Sequence, residues 1–395
     1  MTEIVIAGVA RTAVGAFGGN LKDVSATALG VATSEATLAR AGLDRKEVDE
    51  LICGSGGQPI SEANVARQIG LRLGLPESTP AFTVQRNCAS GLQALTSAAQ
   101  SIAAGDAEAV LAVGTENMSQ APYLTYGARW GLHLRHQELR DAIWEGLTDA
   151  YSGLLMGETA ENLAERYQLS RLEQDAFALE SHRLAYQSSR TGLFRHEIAP
   201  VQVSARRNDP PVEISRDEGP SPALSPDRMA MAPAIFRKGG SVTPLNSCPL
   251  NDAAASCLVL SEQAAKDHGI TPQARLLGYA YAGCDPKMMG LGPVPATEKL
   301  LGKLGLRLDQ IDLIEINEAF AAQVLACQRE LDYDPAKANV SGGAIALGHP
   351  IGATGLRLTA TLVHAMSRLN VRYGLVTMCI GGGQGASAIF ERWGA

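Results

Sequence analysis

Apolar positions along the chain fall into two rhythms, tight runs of four to eight and longer stretches at helical spacing. Ile4 to Val9 reads as a buried strand, closed by Arg11-Thr12 and the glycines of Gly15 to Gly19. Leu21 to Ala41 carries a helical pattern that stops at Gly42, and a short turn leads into the strand-like Leu51-Ile52. Phe82 to Val84 is β-prone. Behind it Leu92 to Ala104 places Leu95, Ala98, Ala99 and Ile102 on one helical face, and Ala109 to Val113 reads as the next strand. Near the other end, Leu375 to Cys379 and Ala386 to Arg392 read as the last two strands, with a glycine run between them.

The pattern repeats. Leu43-Asp44-Arg45-Lys46-Glu47-Val48-Asp49 resembles Leu306-Arg307-Leu308-Asp309-Gln310-Ile311-Asp312, with Gly42 falling on Gly305 at an offset of 263 residues. Ala89-Ser90-Gly91-Leu92 resembles Ala353-Thr354-Gly355-Leu356 at an offset of 264, and each opens a helix that leads to a strand. Two separated matches at nearly one offset point to duplication of a βαβ-rich half. The halves expected are 1–116 with 246–270, and 271–395, with an insertion over 117–245.

The insertion has a different texture. Tyr123, Tyr126, Trp130 and His133 open it, and a helix is expected from Met156 to about Tyr167. Ser170-Arg171-Leu172-Glu173 is a capping box starting a helix that Thr191-Gly192 stops. Val201 to Gly240, rich in proline, glycine and charge, reads as loop. It carries Arg206, Arg207, Arg216, Arg228, Arg237 and Lys238, for which solvated surface is the plain explanation and ligand contact the sharper one.

Composition narrows the function classes. A chain of 395 residues exceeds what one core usually serves, and 46% hydrophobic with 19% charged residues is globular. A net charge of -7 without a basic tract argues against nucleic acid. The seven cysteines are scattered with no CxxC, which suggests a reducing compartment rather than a disulfide framework. Neither a signal peptide nor an apolar run of membrane-spanning length is evident, so a soluble cytoplasmic protein is expected.

Four glycine-bordered stretches carry chemistry. Cys88 lies just before a helix, where free N–H groups and the dipole lower a thiol pKa and can hold an oxyanion. Asn317-Glu318 stands where a strand gives way to a helix. His349-Pro350 precedes the second repeat helix, and a neutral imidazole there can take a thiol proton. Cys379 ends a strand, backed by Gly381 to Gly383. Duplicated loops usually face one cleft, which would bring Cys88 and His349 together. A metal site lacks any local ligand pair, and a redox disulfide between Cys88 and Cys379 lacks the usual CxxC. A dinucleotide site at Gly381 to Gly385 has no room for the helix that must follow.

Asn87-Cys88-Ala89-Ser90-Gly91, Asn317-Glu318-Ala319-Phe320, Gly342 through Pro350 and Cys379-Ile380-Gly381-Gly382-Gly383 together resemble the thiolase family over nearly the whole chain. The resemblance implies an α/β fold, two duplicated thiolase-like domains in a five-layered αβαβα body with an inserted loop domain. It implies reversible Claisen condensation and thiolysis of 3-ketoacyl-CoA through an acyl-cysteine, of the acetyl-CoA acetyltransferase or broad β-ketothiolase kind. The alternative is a degradative 3-ketoacyl-CoA thiolase for longer or unusual acyl chains. Substrates would be acetyl-CoA, 3-ketoacyl-CoA and free CoA, with no permanently bound cofactor and no membrane partner, in a homodimer or homotetramer.

Carried onto this chain, the resemblance makes Cys88 the acylated nucleophile, His349 its activator and Cys379 the acid/base at the α-carbon. Asn317 would hold a water in one oxyanion hole, and the N–H groups of Cys88 and Gly381 would form another. Met156, Met289 and Phe320 would line the acyl and pantetheine pocket. Arg216, Phe236, Ser247, Cys248, Leu250 and Ala319 would complete the CoA contacts. Three positions depart from the family pattern. Ser341 replaces an asparagine, Cys248 a CoA-contacting serine, and Leu155 a histidine common in short-chain biosynthetic members.

Overall fold

The computed structural model describes residues 2–58, 60–132, 134, 136–204 and 210–395. His133, Arg206 and Arg207 lie outside the described residues. In the N-terminal half, strands β1 (Ile4–Arg11), β2 (Glu50–Gly54), β3 (Ala81–Val84) and β4 (Ala109–Asn117) alternate with helices α1 (Ala26–Ala41), α2 (Val65–Leu73) and α3 (Ser90–Ala104). After the insertion, with helices α4 (Met156–Arg166) and α5 (Arg171–Arg190), the chain returns as β5 (Asn251–Ser261) beside β4. The C-terminal half runs β6 (Ala274–Gly283), α6 (Pro293–Leu304), β7 (Leu313–Ile316), α7 (Ala321–Leu331), α8 (Thr354–Leu369), β8 (Tyr373–Ile380) and β9 (Gln384–Arg392).

The pairing scheme of the first half recurs in the second. β2 runs parallel to β3 and β4, β4 antiparallel to β5, and β5 antiparallel to β1. β7 runs parallel to β8, β8 antiparallel to β9, and β9 antiparallel to β6. The position of β3 is taken in the second half by a single parallel bridge between Ile314 and Ala338. Gly42 and Gly305 both end their helices in the left-handed conformation, φ 75° and 65°. A two-rung ladder, Val5 to Arg275 and Ile6 to Ala274, joins the halves through β1 and β6.

Strand alternation sorts the side chains into layers. Val5, Ala7, Leu111 and Val113 face α1 and α2 on one outer surface. Ile314, Leu375 and Ile389 face α6 and α7 on the other. Ile6, Val110, Ala112, Val376, Met378, Ala388 and Phe390 face inward, onto α3 and α8, in one core shared by both halves. The result is five layers, helix, sheet, helix pair, sheet, helix. The inner helix α8 is buried on every side from Thr354 to Val363, its polar Arg357, Thr359 and Thr361 included.

Two local expectations need correction. The first helix begins at Ala26 rather than Leu21, because the Ser25 hydroxyl accepts the Ala28 N–H and caps it there. The stretch from Val201 is not all loop. Val201–Val203 and Val212–Ile214 alternate apolar and polar residues and pair antiparallel, and Ser225-Pro226 starts a short helix to Met231. The Ser170 capping box forms, with the Glu173 N–H 3.2 Å from the Ser170 hydroxyl and the Ser170 N–H 2.7 Å from the Glu173 carboxylate. The insertion docks on the C-terminal half, Leu163, Ala164 and Leu169 burying against Ala322 and Ala326 of α7. No helix among the described residues is long and apolar enough to cross a membrane.

Candidate active site

The repeated Ala-Ser/Thr-Gly-Leu motif marks where the two inner helices meet. A methyl group on Gly91 would lie 2.7 Å from the Gly352 carbonyl, and one on Gly355 2.3 Å from the Leu92 nitrogen. Only glycine lets the two backbones touch. Cys88 stands two residues before α3 and His349 five before α8, so this crossing sets both at one end of the inner layer. Both helices start without a side-chain cap, and the first N–H of each is taken by a turn carbonyl, Ser90 by Asn87 at 3.1 Å and Thr354 by Pro350 at 3.0 Å.

Cys88 sits in a tight turn. Asn87 takes a left-handed conformation (φ 43°), its side-chain amide donates to the Gly381 carbonyl at 3.0 Å, and the Ser90 N–H bonds the Asn87 carbonyl. The thiol is half-buried. Burial raises its pKa, and hydrogen bonds from the backbone N–H groups of Gly381 and of Cys88 itself pull the other way. Burial wins. The expectation of a thiol lowered by the helix terminus is therefore corrected: the Cys88 thiol is raised.

His349 is buried, and its environment fixes its tautomer. The Thr354 hydroxyl lies 2.7 Å from Nδ1 and gives its own proton to the Pro350 carbonyl at 2.8 Å. It must therefore accept from Nδ1–H, which leaves Nε2 bare. Asn317 Nδ2 lies 3.5 Å from that nitrogen. Burial first, and the charge of Arg357 second, push the imidazole down to about 3, so the ring is neutral. Pro350 belongs to the turn before α8 rather than to its first helical turn, since the helix starts at Thr354.

Cys379 is fully buried at the end of β8, its thiol held well above the ordinary value by burial and then by the nearby charge of Cys88. Around it cluster Met156, Phe236, Cys248, Met289, Ala319 and Phe320. Phe236 meets Phe320 edge to face at 6.2 Å. The Cys248 N–H bonds the Ala319 carbonyl at 3.0 Å, and Ser247 pairs with Phe320 while its hydroxyl donates to the Thr243 carbonyl. Cys88, Asn87, Met156 and Gly381 share a cavity of about 190 Å³ with Met118, Ala142, Ile143, Leu147 and Ile351.

Residues 4–263 match the thiolase N-terminal domain and residues 270–392 the thiolase C-terminal domain. The chain belongs to the thiolase family. It is 49% identical to an acetyl-CoA acetyltransferase of Pseudomonas aeruginosa, over 99% of this chain and 100% of that one. It is 44% identical to the mitochondrial 3-ketoacyl-CoA thiolase of Mus musculus, over 98% of each. Its fold superposes on the crystal structure of the Bacillus anthracis acetyl-CoA acetyltransferase with a TM-score of 0.97 at 44% identity, covering 99% of each chain. Human mitochondrial 3-ketoacyl-CoA thiolase, in a structure with CoA, gives 0.96 at 42%, covering 99% and 98%.

Two residues expected at the substrate in this thiolase stand apart from these clusters. Arg216 lines a separate cavity of about 420 Å³ with Arg190, Arg195 and Glu213, because Asp217 and Glu218 beside it are drawn to Arg11 and the Val14 and Ala16 N–H groups. The Leu250 carbonyl accepts from the Phe17 N–H at 3.2 Å.

Sequence reading missed the scaffolding groups. Glu116 accepts from Gly56, Gly57 and Gly352 at 2.8, 3.0 and 2.8 Å, tying the loops on either side of Cys88's cavity to β4. Asn251 accepts the His349 N–H and donates to the Gly15 carbonyl. Glu318 accepts from Ser181, Asn339 and Ile345. Only Glu318 stood inside a recognised block. A carboxylate just beyond a buried strand and opposite a Gly-Gly pair was the signal available for Glu116.

Proposed function

We propose that this thiolase interconverts 3-ketoacyl-CoA plus CoA with acyl-CoA plus acetyl-CoA, acting as an acetyl-CoA acetyltransferase or broad β-ketothiolase through acylated Cys88. One observation carries the reading: Cys88 of one half and Gly381 of the other line one cavity, with the Asn87 side-chain amide bonded to the Gly381 carbonyl at 3.0 Å, which brings backbone N–H groups of both halves beside the thiol. Donors set around a sulfur in this way suit the oxygen of an acyl group attached to it.

In thiolysis, Cys88 Sγ attacks the 3-keto carbonyl of the substrate while its proton passes to the bare Nε2 of His349. The bond between C2 and C3 then breaks, its electron pair going to C2, and Cys379 protonates that carbon to release acetyl-CoA. The thiol of free CoA gives its proton to the Cys379 thiolate and attacks the acyl-Cys88 carbonyl; the bond from Cys88 Sγ to the acyl carbon breaks, and Cys88 takes back the proton held by His349. Condensation is the reverse, with Cys379 removing the α-proton of acetyl-CoA.

The protonated His349 and a water held by Asn317 bind one developing oxyanion. Asn317 Oδ1 has no partner among the described residues, which supports that task. A base distinct from the nucleophile's own activator is what the chemistry demands, and two sulfurs with one imidazole supply it. A resting thiol rather than thiolate at Cys88 fits proton transfer to His349 as substrate arrives. Met156, Phe236, Met289 and Phe320 would pack on the pantetheine arm and acyl group, with Ser247, Cys248 and Ala319 behind them.

A second reading, toward longer acyl chains, has an observation of its own. The cavity beside Cys88 holds about 190 Å³ between apolar side chains, roughly six times the volume of a water molecule, and an acetyl methyl fills little of it. We infer a homo-oligomer in the cytoplasm, supported by the exposed Tyr123, Tyr126, Trp130 and Trp144 on the insertion and by the free cysteines.

The deciding experiment is incubation with labelled acetyl-CoA followed by peptide mapping. Label is expected on the peptide holding Cys88, discharged by added CoA and missing from Cys88→Ala. A wild-type protein that takes no label would sink the assignment. Cys379→Ala is expected to keep acylation and lose exchange of the α-protons of acetyl-CoA with solvent.

A further inference from the structure

Behind the site lie two buried ionisable side chains with unpartnered polar atoms. Arg357 of α8 is 1% exposed, and its Nε, Nη1 and Nη2 all lack a hydrogen-bond partner among the described residues. Glu315 of β7 is 2% exposed, and its Oε2 is equally unpaired. A buried guanidinium without a bonded partner is costly. The charged neighbours are already engaged. Arg11 bonds Glu197 and Asp217, Glu197 also takes the Thr361 hydroxyl, and Glu318 holds three donors.

Each of these side chains stands one structural repeat from a residue that grips His349. Arg357 follows Thr354 by three positions, which puts both on one face of α8, and Thr354 holds His349 Nδ1. Glu315 precedes Asn317 by two positions. The Asn317 N–H still pairs with the Thr377 carbonyl at 3.0 Å, so the two-residue period of β7 runs through it and both residues share a face. Asn317 meets His349 at Nε2. The two ring nitrogens are thus held by two elements, each carrying one member of a pair of buried ionisable side chains.

We propose that Arg357 and Glu315 are positioning residues for the reaction, an opposed pair that fixes α8 against β7 and sets the potential in which the His349 ring takes up and returns its proton. This rests on the reading of His349 as the acceptor of the Cys88 proton. The charge of Arg357 disfavours a proton on His349, secondary to burial, and it is itself faced by Glu315 of β7, Arg11 of β1, and Glu197 and Glu318 from the adjoining loops. Burial pushes the Glu315 carboxyl up to about 8 while Arg357 draws it down.

The test compares wild type with Arg357→Met, Arg357→Lys and Glu315→Gln. Three quantities are read: kcat and KM for acetoacetyl-CoA, and the pH profile of Cys88 alkylation by iodoacetamide. Without the guanidinium charge the ring keeps its proton to higher pH. Arg357→Met is therefore expected to show an acid limb moved up by roughly one pH unit or more, with kcat down about tenfold and KM within about twofold. Arg357→Lys, which keeps the charge, is expected to restore the limb and most of kcat. A folded Arg357→Met with an unmoved limb overturns the proposal, whether or not kcat falls. Should that variant not fold, Glu315→Gln decides. Loss of about threefold or more in kcat at unchanged KM is expected there, and wild-type kcat overturns the proposal. Failure of the thiolase reading shows separately, as wild-type protein that alkylates at Cys88 yet takes no acetyl label.

Discussion

His349 is neutral because it is buried, and neutrality has a measurable consequence in acid. Its folded pKa, about 3, lies below the ordinary value of 6.5, so the unfolded chain binds a proton that the native ring refuses. The stability this site contributes is therefore complete above about pH 6.5 and is lost as pH falls from there toward 3. Urea denaturation of wild type and His349→Asn at pH 7.5 and 5.5 should show the gap between the two pH values smaller in the variant, by roughly 1 kcal/mol. Equal gaps would mean that the ring is not held neutral. Glu116 offers a second test. A glutamine has one acceptor oxygen where three N–H donors converge, and its amide would confront one of them. Glu116→Gln is expected to lose about 1–3 kcal/mol of stability and to lower turnover by loosening both loops around Cys88. A wild-type unfolding midpoint would show that the three bonds contribute nothing.

At the scale of elements, the pattern that could be read in the sequence was the one set by local rules. Glycine stops at Gly42 and Gly305, the Ser170 cap and the apolar runs of the inner strands all fell where propensity and periodicity put them. The short ladder of Val201–Val203 with Val212–Ile214 was hidden among prolines and charges, since a three-residue strand leaves almost no periodic signal. The partners of His349 were invisible for a different reason. Asn251 reaches it through tertiary pairing across 98 residues, and Thr354, only five residues on, bonds it through a turn whose side-chain geometry periodicity does not encode. The repeat motif, read as a mark of duplication, proved to be the contact between α3 and α8. Gly91→Ala tests that contact. Its methyl must push two backbones apart, and a loss of about 1–3 kcal/mol is expected from overpacking, with a larger proportional fall in kcat/KM than in stability. Full activity in a folded Gly91→Ala protein would show that the crossing does not set the distance between Cys88 and His349.

For the whole molecule, acyl-chain length and assembly are the properties that the insertion bears on. Leu147 and Ile143 face the cavity beside Cys88 from the insertion, and a bulkier residue there would fill it. Leu147→Trp is expected to cut kcat/KM for a six-carbon 3-ketoacyl-CoA by at least tenfold while sparing acetoacetyl-CoA within about threefold. An equal loss on both substrates would place the acyl chain elsewhere. Trp130 is 84% exposed, and Tyr123 65%, on a segment with little else to bury them. Light scattering should find more than one chain per particle in wild type and fewer in Trp130→Ser with Tyr123→Ser. A monomeric wild type would reject the oligomer.

The core shared between the two sheets bears on how reactants come and go. Many two-domain enzymes work like a clamshell, opening at a hinge to admit cargo and shutting to begin. Here each half keeps an outer core of its own, but between the two sheets one set of side chains serves both and the inner helices touch backbone to backbone. Opening would amount to unfolding. The cavity beside Cys88 is therefore filled and emptied without the two halves parting.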